Sequence, residues 1–64
     1  MRITEFWQRM ETHFGATYAD SYARDQVLSE LGGRTVVEAL AGGDDVKNVW
    51  RAVCVAANVP ARER

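Results

Sequence analysis

Hydrophobic positions recur along this chain with a helical period, and glycine-rich or acidic stretches divide them. In "ITEFWQRMETHFG", Ile3, Phe6, Trp7, Met10 and Phe14 fall at the i, i+3, i+4, i+7 spacing of one helix face. Thr4, Glu5, Gln8, Glu11 and Thr12 take the other face. Gly15 reads as the stop, because glycine takes positive φ without a Cβ clash. In "TYADSYARDQVLSELGG" the pattern predicts a second helix, opened by Thr17 and Asp20 in the manner of a capping box and closed by Gly32 and Gly33. Ala23, Val27 and Leu31 share one side of it, with Leu28 at the edge. Tyr18 and Tyr22 lie nearly opposite, with Ser21, Asp25 and Ser29. Apolar material on two sides suggests a central helix.

The segment "RTVVEALAGG" predicts a short helix with a capping box, Thr35 as N-cap and Glu38 at N3, and with Val36, Val37, Leu40 and Ala41 facing inward. In "DDVKNVWRAVCVAANVP", Val46, Val49, Trp50, Val53 and Ala57 form a stripe with Cys54 on its flank. Asp44 or Asp45 caps the start of this last helix, and Asn58 and Pro60 mark its end. No alternating strand pattern is visible. The expected fold is all-α: a small single-domain bundle of three longer helices plus one short helix over residues 1–59, with residues 60–64 as a frayed tail. The stripes of the first and last helices should meet Val27, Leu28, Leu31, Val37 and Leu40 in one core.

Length supports this picture. A 64-residue chain is one domain at most, and a domain of that size buries only roughly 60% of its unfolded surface. Hydrophobic content of 47% with 27% charged residues argues against disorder. With 8 basic and 9 acidic residues the net charge is −1, which lacks the basic excess usual in nucleic-acid modules. Cys54 is the single cysteine, so no internal disulfide forms. No apolar run suits a signal peptide or a membrane span, and a soluble cytoplasmic protein is the default expectation.

The runs "MRITEFWQRM", "YARDQVLSELGGRTVVEAL" and "VWRAVCVAANVP" resemble a family of small actinobacterial proteins known only as a domain of unknown function. The resemblance extends through nearly the whole chain, and "LGGRTVVEAL" followed by "VWRAVC" is its more specific part. It implies a small cytoplasmic protein, sometimes encoded near recombination genes. It carries no reaction, cofactor or catalytic residue.

The stretch "RTVVEALAGGDDVKNVWRAV" has the outline of a DNA-reading helix-turn-helix: a short helix, a glycine turn and a second helix. Its chemistry opposes that use. The N-terminal residues of a recognition helix face bases and phosphates, and here they are Asp44 and Asp45. Only Lys47 and Arg51 lie on the outer face of the helix, with Asn48 between them, and phosphate affinity depends on such cations. With Gly43 aligned to the turn glycine, Glu38 and Ala52 stand where larger apolar residues belong. A helix-turn-helix-like nucleic-acid-binding protein is therefore the alternative reading.

Catalytic signals are weak. His13 sits near the C-terminal end of the first helix, where the dipole or the core border explains it. Cys54 reads as a small hydrophobe, and nothing in the spacing supplies a Cys54–His13 dyad with an orienting group. Metal binding needs three or four ligands, and no such cluster appears. No cofactor is expected, and the chain does not read as an enzyme. Two polar constellations remain. In "LGGRTVVE", Gly32 and Gly33 with Arg34 make a candidate anion site at the start of the third helix, although Glu38 already caps that end. Arg24 and Asp25 form, with Gly33, Arg34 and Glu38, a candidate polar bracket between the second helix and that loop.

A small chain without a catalytic cluster suggests action by protein contact, as an adaptor or regulator, with a protein partner or a second copy of itself. Contact surfaces favour aromatic residues and Arg. Two surfaces qualify: the Tyr18/Tyr22 side of the second helix, and the outer face of the fourth, where Lys47, Arg51 and Val55 align.

Overall fold

The computed structural model describes residues 1–63. Four α-helices, α1 (Ile3–Phe14), α2 (Ala16–Asp25), α3 (Val36–Ala41) and α4 (Val46–Ala57), carry the fold. Three have ten residues or more and α3 has six, the expected proportion of longer helices to one short one. A pair of two-residue strands, β1 (Val27–Leu28) and β2 (Arg34–Thr35), lies between α2 and α3.

Gly15 joins α1 to α2 with no loop at all. Its N–H donates to the Glu11 carbonyl at 2.8 Å, and its own carbonyl accepts from the Ala19 N–H at 2.8 Å. It ends one helix and opens the next with φ +82° and ψ 152°, a conformation essentially reserved for glycine. The expected Thr17–Asp20 capping box is absent, because the helix starts at Ala16 and its N-cap is Gly15, which has no side chain to accept a bond.

The second helix is shorter than its periodicity suggests. It stops at Asp25, Gln26 turns extended, and β1 pairs antiparallel with β2, Val27 opposite Thr35 and Leu28 opposite Arg34. A 3-10 turn (Ser29–Leu31) and two left-handed glycines reverse the chain: Gly32 has φ +69° and Gly33 φ +80°. The packing explains the break. On a continued helix Leu28 would stand about 140° around from Ala23, so one face could not bury both. The hairpin buries Leu28 and Leu31 together with Ala19 and Ala23 and leaves Val27 at the surface, 56% exposed. Tertiary burial overrides local propensity here.

The hairpin also delivers Thr35 as the N-cap of α3. Thr35 Oγ1 accepts from the Glu38 N–H at 3.1 Å, and Glu38 Oε1 accepts from the Thr35 N–H at 2.8 Å, the expected capping box. The inward face of α3 is narrower than expected. Val36 and Ala39 are buried and Leu40 half-buried, while Val37 and Ala41 turn outward.

α4 is the central helix. Val49, Trp50 and Val53 are buried as its stripe predicts, with Val46 and Ala57 half-buried. Ala52 and Cys54 are buried on either side, since α4 meets α1, α3 and the 3-10 turn at once. Asp45 caps its start, accepting from the Lys47 N–H at 3.4 Å. Asn58 closes it with φ +58°, its N–H bonding to the Val55 carbonyl and the Val59 N–H to that of Cys54, and Val59 folds back into the core. From α1, Phe6 and Met10 are fully buried, and Phe6 meets Trp50 edge-to-face at 6.0 Å between ring centres. Trp7 and Phe14 border the core, whereas Ile3 is exposed.

Residues 61–63 of the expected tail form a 3-10 turn (Ala61–Glu63). The Glu63 N–H donates to the Pro60 carbonyl, and its carboxylate lies 3.7 Å from His13 Nδ1. Arg64, the last residue of that expected tail, lies outside the described residues.

Candidate functional site

The outer face of α4 is a ridge. Lys47, Arg51 and Val55 follow one another at helical spacing and all three are exposed, Val55 by 51%. Grooves flank the ridge on both sides. The first, of about 530 Å³, runs between α1 and α4, walled by Glu5 and Arg9 on one side and Lys47 and Arg51 on the other. Trp50 and Cys54 line it too, and Met1 stands at its margin. The second, of about 490 Å³, lies toward the hairpin, between Glu30 and Leu31 on one wall and Asn48, Arg51 and Val55 on the other. Arg51 borders both grooves, and among the described residues it is the cationic residue the two share.

Sequence reasoning finds the α4 half of the first groove and misses the α1 half. Glu5 and Arg9 have i, i+4 spacing at the edge of the Phe6–Met10 stripe, and Arg9 is half-buried. A charged pair on the margin of an apolar stripe is the available signal, legible only once α4 is known to lie alongside.

The tyrosine surface forms a cluster of rings. Tyr22 stacks on Phe14 at 4.5 Å with 18° between planes, and Tyr18 meets Phe14 edge-on at 5.8 Å. Tyr18 stays 57% exposed, while Tyr22 is half-buried. Partial burial raises the Tyr22 phenol above the ordinary 10.0, and Tyr18 and Glu30 nearby push it the same way. The aromatic side is therefore partly covered by the first helix, with Tyr18 as its open member.

The polar bracket does not assemble as expected. Arg24 pairs with Asp20 one turn back on α2 at 3.1 Å, in an exposed i, i+4 contact. The bracket that exists runs elsewhere. Arg34 Nε donates to the Leu31 carbonyl at 2.8 Å, and its Nη2 donates to Asp44 at 2.6 Å. This ties the hairpin to the α3–α4 turn, a link that the sequence spacing of Arg34 and Asp44 does not announce. It also engages the guanidinium that the candidate anion site required. Glu38 is engaged in the capping box, and Gly33 supplies a backbone turn. Asp25 is exposed at the end of α2.

The helix-turn-helix outline is present as α3, a glycine turn and α4. The acidic pair at the front of α4 has structural duties: Asp44 holds Arg34 and Asp45 caps the helix. His13 packs its ring against Trp50, 5.8 Å between centres, and Cys54 is fully buried. Among the described residues no group of three or more His, Cys, Asp or Glu side chains is placed to hold a metal ion. Among the same residues no helix is long and apolar enough to cross a membrane.

No curated protein and no solved structure matches this chain. A family model does, over residues 1–62 of 64. That match spans the four helices and the hairpin and ends within the final turn, and by it the chain belongs to the family described as "Protein of unknown function (DUF3046)".

Proposed function

We propose that this protein works by protein–protein contact, as a small adaptor or regulator without chemistry of its own, and that the α4 ridge is its working surface. One observation carries the reading: Arg51 stands between two grooves on a ridge that also exposes Lys47 and Val55. An exposed Arg beside apolar floors is the composition that contact surfaces favour. Val55 adds apolar area to the ridge beside the second groove. Tyr18 offers a second contact point on the far side of α2.

Photo-crosslinking in the native cell tests the reading. A benzoylphenylalanine placed at Lys47 or Val55 should give discrete covalent adducts, and one placed at Gln8, exposed on α1, should give none. An adduct of twice the monomer mass identifies the partner as a second copy, and an adduct with nucleic acid overturns the protein reading. No adduct from either ridge position, or equal adducts from all three, refutes the ridge.

A further inference from the structure

We infer that the groove between α1 and α4 is a receptor for an acidic protein segment that inserts one apolar side chain. The inference rests on the contact function proposed above and names its partner by chemistry. Among the described residues three cationic side chains, Arg9, Lys47 and Arg51, line this groove against one carboxylate side chain, Glu5. The imbalance is local, because the whole chain carries −1. Lys47 and Arg51 form no ion pair among the described residues, and Asp44 and Asp45, the acids nearest them in sequence, are engaged with Arg34 and with the α4 N-terminus. The ridge therefore presents positive charge that the fold does not neutralise. Complementary charge on the partner sets orientation and encounter rate more than raw affinity.

The floor supplies the other half. Trp50 lines the groove, and its Nε1 is a buried side-chain polar atom without a hydrogen-bond partner. An indole N–H left unpaired in an apolar site is costly. Trp50 is only 3% exposed, so its indole lies beneath the groove as a reporter of what binds there, while an aliphatic or aromatic anchor covers the apolar margin at Met1. Groove size falls within the range of sites that enclose a ligand or anchor side chain. A polyphosphate is the poorer fit. Glu5 stands in the same wall, and the apolar surface beside the cations has no counterpart on a polyphosphate.

The test is a titration of the nitrogen-15-labelled full chain followed by NMR. The probe is a short capped peptide of Asp, Glu, Leu and Phe. Its Asn/Gln counterpart, duplex DNA and phosphatidylglycerol vesicles are the competing arms. The Trp50 indole N–H is assigned by its persistence in Trp7→Phe. The acidic peptide should move that signal saturably, together with the backbone amides of Glu5, Arg9 and Arg51. Lys47→Glu/Arg51→Glu should weaken binding about tenfold or more, and Glu5→Gln should tighten it. Amide spectra outside the groove report whether each variant stays folded. Equal binding of the Asn/Gln peptide, stronger groove shifts with DNA or vesicles, or unchanged affinity in the double charge reversal each overturns the inference. If Val55 still crosslinks to a protein in cells while the acidic peptide leaves Trp50 unmoved, the contact function stands and the groove assignment falls.

Discussion

Gly15→Ala isolates the energetic cost of a single backbone conformation. Gly15 sits at φ +82° between two helices, and a Cβ built there meets nothing within 4 Å. Steric exclusion by neighbours is thus absent, and the penalty comes from the residue's own backbone. Holding an L-residue in this region costs about 1–3 kcal/mol. The substitution also restricts the unfolded chain, which returns about 0.4–1 kcal/mol. The net loss is about 1–2 kcal/mol, against a total stability of about 3–10 kcal/mol for a chain of this length. For so small a domain, 1 kcal/mol shifts the melting temperature by about 4–8 °C. Thermal circular dichroism should therefore show Gly15→Ala folded but melting about 5–15 °C lower. A synthetic chain with D-alanine at the same position, whose mirror-image preference suits positive φ, should melt at or above the wild-type temperature. Gly15→Ala melting within about 2 °C of wild type would mean that the α1–α2 joint relaxes to an ordinary conformation without loss, and the reasoning fails.

Trp50→Ala removes the largest side chain of α4 from the core and should cost about 3–5 kcal/mol, enough to abolish cooperative melting in circular dichroism. Thr35→Ala deletes the acceptor for the Glu38 N–H and should lower stability by about 1 kcal/mol in urea denaturation with an unchanged m-value. In a double-mutant cycle, Arg34→Ala and Asp44→Ala should show coupling of about 0.5–1 kcal/mol that shrinks as salt is added, since the pair is only partly buried. Tyr22 gives a pH dependence: its raised phenol pKa means that the folded state holds the proton longer than the unfolded one. The stabilisation is fully present below pH 10.0 and declines as pH rises from there through the folded-state value. Alkaline denaturation should therefore be shallower in Tyr22→Phe than in wild type.

The α1 and α4 stripes were legible because each helix buries one side, so period alone reports the face. The Thr35–Glu38 box was legible because its two bonds depend on residues three apart. The end of α2 was not. Residues 26–31 keep an acceptable helical pattern, and only the three-dimensional demand that Leu28 and Leu31 join Ala23 in one core breaks the helix. The paired glycines carried the missing hint, since one suffices to end a helix whereas Gly32 and Gly33 both take positive φ to turn a hairpin. The Arg34–Asp44 pair and the Glu5/Arg9 wall were hidden for a related reason. Each joins segments whose proximity follows from the hairpin or from the packing of α1 on α4, and neither is a local pattern.

The hairpin reaches the candidate site through charge as well as shape. By ending α2 early it places Arg34 beside Asp44, and a carboxylate at the front of α4 is then held by a guanidinium from another segment. Asp45 is drawn to the helix N-terminus, where the dipole favours it. Had α2 continued to Leu31, Arg34 would sit elsewhere and Asp44 would stand unpaired one turn from Lys47. The two acids would then screen the cations of the ridge. In the fold that forms, both acids are engaged before Lys47 and Arg51 begin, so a chain of net charge −1 presents a cationic strip along one helix. This allocation separates the contact reading from the helix-turn-helix reading. The acids occupy the end of α4 that would enter a DNA groove, and the cations occupy its flank, beside an apolar floor that suits a protein segment.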